Sequence, residues 1–280
     1  MRGLTNPTYS TCYVNSAIQF LFHSSPDLTR FFRDNVYEGE CKITKEYQKL
    51  SNALLELGKE DDPVDTLPFL DALFDKFKVF QEGEQGDAGE VFVFLVDCLE
   101  KSISKEFIHD IFAGVLEQIT TFHKDSDLDK FAPPVPTNDM YRESKRIENF
   151  TTLCLLVSEP SGLEDLVKEH LQPEAFEGYR DDDGVVHARA VKFCTVKRWP
   201  KVTVFIFSQP YHKFNTQIPL EWEGRKLIAA VLHRGTIRNG HYALVVLVRD
   251  QWYMKSDESV VKSADKIQDF VGEISMAVYR

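Results

Sequence analysis

No run of apolar residues in this chain approaches the ~20 needed to span a bilayer, and the opening Met1-Arg2-Gly3-Leu4-Thr5-Asn6 has no apolar signal core. Neither a membrane-spanning helix nor a secretory leader is expected. Cysteine is scarce: Cys12, Cys41, Cys98, Cys154 and Cys194 are odd in number, widely spread and without a Cys-x-x-Cys pair. That pattern argues against a disulfide framework and against a zinc site. It fits an intracellular, reducing compartment, cytoplasmic or nuclear, in which one thiol is available for chemistry. Basic residues are in deficit, 33 Lys and Arg against 44 Asp and Glu, for a formal net charge of −11. A nucleic-acid binder would carry a basic footprint, so that class is disfavoured; an acidic surface suits a basic partner.

What is present is enough to build a sizeable core. Of 280 residues 43% are hydrophobic, with 28% charged to cover them, and length alone permits one large domain or two ordinary ones. The first part reads as helices. In Cys12 to Phe22 the apolar Val14, Ala17, Ile18, Leu21 and Phe22 fall on one face, and Tyr47, Leu50, Leu54 and Leu57, then Ala88, Val91, Phe92, Leu95 and Leu99, repeat the spacing. Pro68 suits the first turn of a helix over Thr66–Phe80.

The later part changes period. Val202–Phe207, Leu227–Leu232 and Tyr242–Val248 are β-branched and aromatic runs bounded by turn residues, and Asn239-Gly240 is a strong turn signal. Between the halves, Lys124 to Glu148 is polar and contains Pro133-Pro134-Val135-Pro136, and Asp181-Asp182-Asp183-Gly184 reads as a loop or hairpin tip. There is no internal repeat. The order predicts an α+β class, a helical lobe followed by a predominantly antiparallel β lobe, with the cleft between them as the natural place for a site.

Two residues bear on chemistry. Cys12 sits just before the first amphipathic helix, where the dipole and unpaired N–H groups favour the nucleophilic thiolate; the plain alternative is a small buried core residue. His241 opens a hydrophobic strand directly after a turn, which exposes its ring, and Ser256-Asp257-Glu258 follows downstream to orient it through its second nitrogen. Here the plain alternative is a loop histidine and a solvated acidic turn.

Order and context favour the chemical reading. Gly3-Leu4-Thr5-Asn6 followed by Thr11-Cys12-Tyr13-Val14-Asn15-Ser16 and Gln19 resembles the cysteine box of the ubiquitin-specific proteases. Gly240-His241-Tyr242, then Trp252-Tyr253 and Ser256-Asp257 with Val260, resembles that family's histidine box, and Gln85-Gly86-Asp87-Ala88-Gly89-Glu90 resembles the acidic box between them. Fainter echoes run from Phe112-Ala113-Gly114 to the closing Ala277-Val278-Tyr279-Arg280, so the resemblance covers nearly the whole chain.

The resemblance implies a papain-like right hand forming one catalytic domain over residues 1–280: a mostly helical thumb over 1–110, fingers and connecting segments over 111–200, and a mostly β palm over 201–280. It implies a deubiquitinating cysteine peptidase that cleaves after the C-terminal glycine of ubiquitin, acting as a monomer without a cofactor. Cys12 would be the nucleophile, His241 the base, Ser256 the orienter and Asn6 the oxyanion donor, with Asp257 and Ser10 in support. Gln85, Asp87, Glu90 and Tyr242 would line the ubiquitin tail.

Three departures from the family pattern stand out. The usual Asp or Asn orienter is replaced by Ser256, which can fix a tautomer but cannot stabilise imidazolium by charge. Even so, Ser256→Ala is expected to lower turnover more than Asp257→Ala. Asn6 lies one residue further from its cysteine than the family asparagine, with Pro7-Thr8-Tyr9-Ser10 between; the extra residue either bulges harmlessly or moves the donor. Where many relatives carry two zinc-binding Cys-x-x-Cys pairs, this chain has Thr120-Thr121-Phe122-His123 and Gly178-Tyr179-Arg180-Asp181. No zinc is therefore expected, and strand pairing and packing must hold the fingers. The rival readings are a weak or inactive ubiquitin-binding relative, a peptidase for a ubiquitin-like modifier, and a papain-like peptidase, which lacks its Gly-x-x-Cys-Trp context.

Overall fold

The computed structural model describes residues 1–59, 62–123, 141–209, 216–236, 239–263, 267–270 and 272–280. Six helices come first: α1 (Cys12–Ser24), α2 (Pro26–Asp34), α3 (Lys42–Leu54), α4 (Leu67–Lys76), α5 (Ala88–Ser102) and α6 (Lys105–Phe112). Their starts follow local chemistry. Ser25 caps α2 through Leu28 N, with Pro26 in the first turn; Asp87 caps α5 and Ser104 caps α6 in the same way. Two expectations of length are corrected. Leu57 is 90% exposed beyond the end of α3, because that helix stops at Leu54. The helix predicted over Thr66–Phe80 ends at Lys76, where Phe77 turns to extended backbone and packs its ring on Phe94 instead.

The remaining chain is mostly strand: β1 (Gly114–His123), β2 (Tyr141–Phe150), β3 (Leu153–Leu156), β4 (Ser161–Gly162), then α7 (Leu163–His170), β5 (Glu174–Arg180), β6 (Val186–Arg198), β7 (Thr203–Ser208), β8 (Thr216–Gln217), β9 (Glu221–Trp222), β10 (Arg225–Gly235), β11 (Gly240–Val248), β12 (Gln251–Ser256), β13 (Ser259–Lys262) and β14 (Ile274–Tyr279). The end of that polar stretch is strand: Tyr141–Phe150 pairs with β1 over its whole length. It was illegible because most side chains of β2 are polar and exposed, leaving no apolar alternation to read. The proline run Pro133–Pro136 lies outside the described residues.

The large sheet has the order β13-β12-β11-β10-β14-β7-β3, antiparallel except for the parallel pair β3–β7. Both of its faces are covered, which explains the continuous apolar runs in its central strands. Val231, Leu244, Val246, Met276 and Val278 pack into the core shared with α1 and α5. Their neighbours Ala230, Leu232, Val245, Ala277 and Tyr279 face a second core with Leu163, Leu166, Ile267 and Trp222. The helical thumb and the sheet-based palm thus share one of these two cores.

The fingers are a separate sheet, β2-β1-β6-β5. At its tip the Phe122 ring centroid lies 4.3 Å from His187 and 5.1 Å from Tyr179, and His187 Nε2 is 2.9 Å from Asp181 Oδ2. The Asp181–Gly184 tip closes through Gly184 N donating to Asp181 O at 3.0 Å.

Candidate active site

Cys12 is the first residue of α1, buried to 2% exposure. Thr11, at the N-cap, does not cap the helix with its side chain; its hydroxyl donates to Asn6 Oδ1 at 2.9 Å, and its amide donates to the same oxygen at 3.2 Å. The first turn of α1 is therefore left without a side-chain acceptor, and the Cys12 and Tyr13 amides turn toward the sulfur. Even so, burial raises the thiol above its ordinary range; the Asp257 charge adds to this, while the amides of Tyr242, Tyr13 and Cys12 pull the other way. The helix end was expected to favour thiolate; desolvation outweighs it in the free protein.

The histidine arrives on the next layer. The β10–β11 hairpin closes with Gly235 opposite Gly240, so His241 stands exposed at the start of β11. Its Nε2 is 2.7 Å from Ser256 Oγ, which leaves Nδ1 as the nitrogen available for proton transfer. The next residue contributes the contact to sulfur: Tyr242 N donates to Cys12 Sγ at 3.5 Å. The thiol thus lies against the 241–242 peptide, and Cys12, His241 and Ser256 are brought together from α1, β11 and the end of β12.

Asp257 serves a different place. It sits at φ 49° in the two-residue turn between β12 and β13, where Ser256 faces Ser259. Its carboxylate points away from the imidazole contact: Oδ2 accepts from Asn6 Nδ2 at 2.9 Å and Oδ1 from Asn15 Nδ2 at 2.7 Å. Asn15 also donates to Thr5 O at 3.0 Å, and Leu4 N donates to Asp257 O at 2.9 Å. Gly3 is required in this joint, since a Cβ there would stand 2.2 Å from Glu258 O. The extra residue before Cys12 is absorbed as a bulge: Tyr9 takes φ 56° and is 91% exposed, with Tyr9 N bonded to Asn6 O. Ser10 spends its hydroxyl on Thr8, 2.8 Å away.

The middle box lies on the facing wall. Asp87 caps α5 by accepting from Glu90 N at 3.0 Å, and Tyr242 donates its hydroxyl to the other Asp87 oxygen at 3.3 Å. Burial and the Asp87 charge raise the Glu90 carboxyl. Gln85 grips Gly240 from both sides, Nε2 donating to Gly240 O at 2.9 Å and Oε1 accepting from Gly240 N at 3.0 Å. A cleft of about 600 Å³ runs between α5 and the sheet, lined among others by Asp87, Glu90, Cys154, Ile206, His233 and Tyr242. His233 stacks on Tyr242, centroids 4.3 Å apart. Sequence reasoning assigned no role to Asn15, His233 or Cys154; only Asn15 had a signal, as a polar residue amid the apolar face of α1.

A model of the family described as ubiquitin carboxyl-terminal hydrolase matches residues 2–277. The chain belongs to that family. Among curated relatives, ubiquitin carboxyl-terminal hydrolase 15 of Schizosaccharomyces pombe is 25% identical over 303 residues, which cover 94% of this chain and 25% of that protein. Human ubiquitin carboxyl-terminal hydrolase 17-like protein 6 is 23% identical over 300 residues, covering 91% of this chain and 68% of that one. The chain thus spans a quarter of the length of the first relative and about two thirds of the second. Among solved structures, the SAGA DUB module Ubp8/Sgf11/Sus1/Sgf73 bound to monoubiquitin matches all of this chain and 68% of the other, with a TM-score of 0.80 at 17% identity. The same module bound to ubiquitin aldehyde matches with a TM-score of 0.77 at 18% identity. These likenesses carry the fold, the α+β right hand of thumb, palm and fingers. No described helix is long and apolar enough to cross a membrane, and among the described residues no cluster of three or more His, Cys, Asp and Glu side chains forms a metal site.

Proposed function

We propose that this chain is a deubiquitinating cysteine peptidase, hydrolysing the isopeptide or peptide bond after the last glycine of ubiquitin. The observation that carries the reading is the packing of the Cys12 sulfur against the Tyr242 amide, beside the His241–Ser256 pair. In the first step His241 Nδ1 takes the thiol proton as Cys12 Sγ attacks the glycine carbonyl; the proton then passes to the leaving amine, and a thioester remains. Water, deprotonated by the same imidazole, attacks the thioester and frees the carboxylate. Ser256 orients the ring without charge. The developing oxyanion meets N–H groups at the uncapped start of α1, with Asn6 completing the donor set once its amide leaves Asp257. Gln85, Asp87, Glu90 and Tyr242 border the path of the tail, where the carboxylates can pair with its arginines. The solved structures that share the fold are bound to ubiquitin and ubiquitin aldehyde, which supports the choice of substrate. The single-domain organisation, an intracellular setting and action as a monomer belong to the same proposal.

A second reading, a weak or inactive ubiquitin binder, is favoured by one observation: the Asn6 amide is engaged by Asp257 rather than free. One experiment separates the two. Ubiquitin carrying a C-terminal electrophile is expected to label Cys12 covalently, and Cys12→Ala to abolish labelling. Labelling only by a ubiquitin-like modifier probe overturns the substrate, and binding of ubiquitin without labelling establishes the second reading.

A further inference from the structure

A second group of nucleophilic side chains lies in the thumb, apart from the cleft. Cys41 is the residue before α3, Lys76 ends α4, and Cys98 is buried on α5. Lys76 Nζ donates to Cys41 Sγ at 3.6 Å, and the same ammonium faces the Cys98 sulfur. Thr44 turns its amide and hydroxyl toward Cys41 from the first turn of α3. Thr44 is itself tied to α5, its hydroxyl 2.7 Å from Ser102 Oγ. A cation and a helix N-terminus meeting at one sulfur is the environment that makes a thiol reactive.

The two sulfurs are unequal. Burial acts against the Cys41 thiolate, but the Thr44 hydrogen bonds and the Lys76 charge prevail and hold the thiol below its ordinary range. Burial pushes Cys98 up to about 11. Cys41 is half-buried and reachable by a small oxidant, whereas Cys98 is enclosed. Elsewhere, burial raises the thiols of Cys12, Cys154 and Cys194.

We propose that Cys41 is a peroxide-reactive thiol, activated by Lys76 and resolved by Cys98, so that hydrogen peroxide converts the pair into a disulfide tying the start of α3 to α5. The Cys41 thiolate attacks one peroxide oxygen, the O–O bond breaks, and the departing hydroxide is protonated to water. Cys41 is thereby oxidised to a sulfenic acid and the peroxide reduced. The Cys98 sulfur then attacks Cys41 Sγ; the S–O bond breaks, the Cys98 proton leaves with the hydroxyl as a second water, and the S–S bond forms. The site does not depend on the peptidase reading. It bears on the cleft through α5, whose first turn carries Asp87 and Glu90.

The test treats the whole chain with graded hydrogen peroxide, blocks residual thiols and maps unreduced peptides by mass spectrometry. A Cys41–Cys98 linked peptide is expected at peroxide levels that leave Cys12, Cys154 and Cys194 unmodified. Lys76→Gln should slow Cys41 oxidation by about three- to tenfold, the scale of a partly lost thiolate offset by nucleophilicity. In Cys98→Ser, dimedone should trap the sulfenic acid on Cys41. Should that buried variant fail to fold, dimedone competing with disulfide formation in the unmodified chain reads the same intermediate. Cys41 oxidising no faster than exposed Cys154 overturns the proposal. So does a Cys41 oxidised while Cys98 stays free, including one linked to Lys76.

Discussion

Asp257 Oδ2 accepts the side-chain amide of Asn6 at 2.9 Å, a contact between residues 251 apart in sequence. With its other oxygen on Asn15, the carboxylate holds the loop before Cys12 to the helix after it. The acid next to Ser256 thus fastens the Asn6 loop to α1, while the Ser256 hydroxyl is the group hydrogen-bonded to the His241 ring. The two neighbours therefore have separable roles.

Removing the fastener leaves two partly buried amides short of a partner, a loss of about 1–3 kcal/mol each at most. Asp257→Ala is expected to lower Tm by several degrees, whereas Ser256→Ala leaves Tm nearly unchanged; thermal unfolding of both variants checks this. In turnover the order reverses. Ser256→Ala should lower kcat by about ten- to a hundredfold, on the scale of a lost orienting contact, and by more than Asp257→Ala does. Hydrolysis of a fluorogenic ubiquitin C-terminal amide ranks them, and the opposite ranking would make Asp257 the orienter.

The same carboxylate reaches the thiol electrostatically. Burial first, then the negative charge of Asp257, raises Cys12, so thiolate forms only above the ordinary thiol range. Asp257→Asn removes the charge and must shift thiolate formation to lower pH. The pH profile of Cys12 alkylation, followed by intact-protein mass, should move acidward; an unmoved profile shows the charge to be irrelevant.

Gln85 fixes the turn that presents His241. Gln85→Ala removes both hydrogen bonds to Gly240 and should lower kcat by about tenfold, the cost of loosening a catalytic geometry, with KM less affected. Gln85→Glu, which cannot donate to Gly240 O, should fall at least as far. Steady-state kinetics on the same substrate separates kcat from KM.

Lys255 is a buried amine on β12 whose Nζ lies 3.4 Å from His23 Nε2. Desolvation lowers it to about 7. Its folded value is below its unfolded one, so the unfolded chain binds the extra proton between about pH 7 and the ordinary lysine range. Stability therefore rises with pH across that window and is flat below it. Lys255→Met should stabilise by a few kcal/mol at neutral pH, less about 1 kcal/mol for the partner lost by His23. The gain should vanish toward pH 10; Tm against pH for both proteins reads it directly, and a pH-independent difference would refute the titration.

Much of this protein is determined by local pattern. The periodicity of Val14, Ala17, Ile18 and Leu21 sets α1 behind Cys12, the Asp87 cap starts α5, and the Asn239-Gly240 turn places His241 at a strand end, because caps, turns and apolar spacing act over a few residues. The family pattern of three boxes adds the pairing of Cys12 with His241. Tertiary structure decided the rest. β2 is a strand because β1 offers it backbone partners, not because its own side chains call for one. The Asp257–Asn6–Asn15 fastening, the Gln85 grip on Gly240 and the raised thiol of Cys12 all depend on how segments far apart in sequence desolvate and face one another. Hydrogen bonds and burial across such separations leave no periodic trace in the chain.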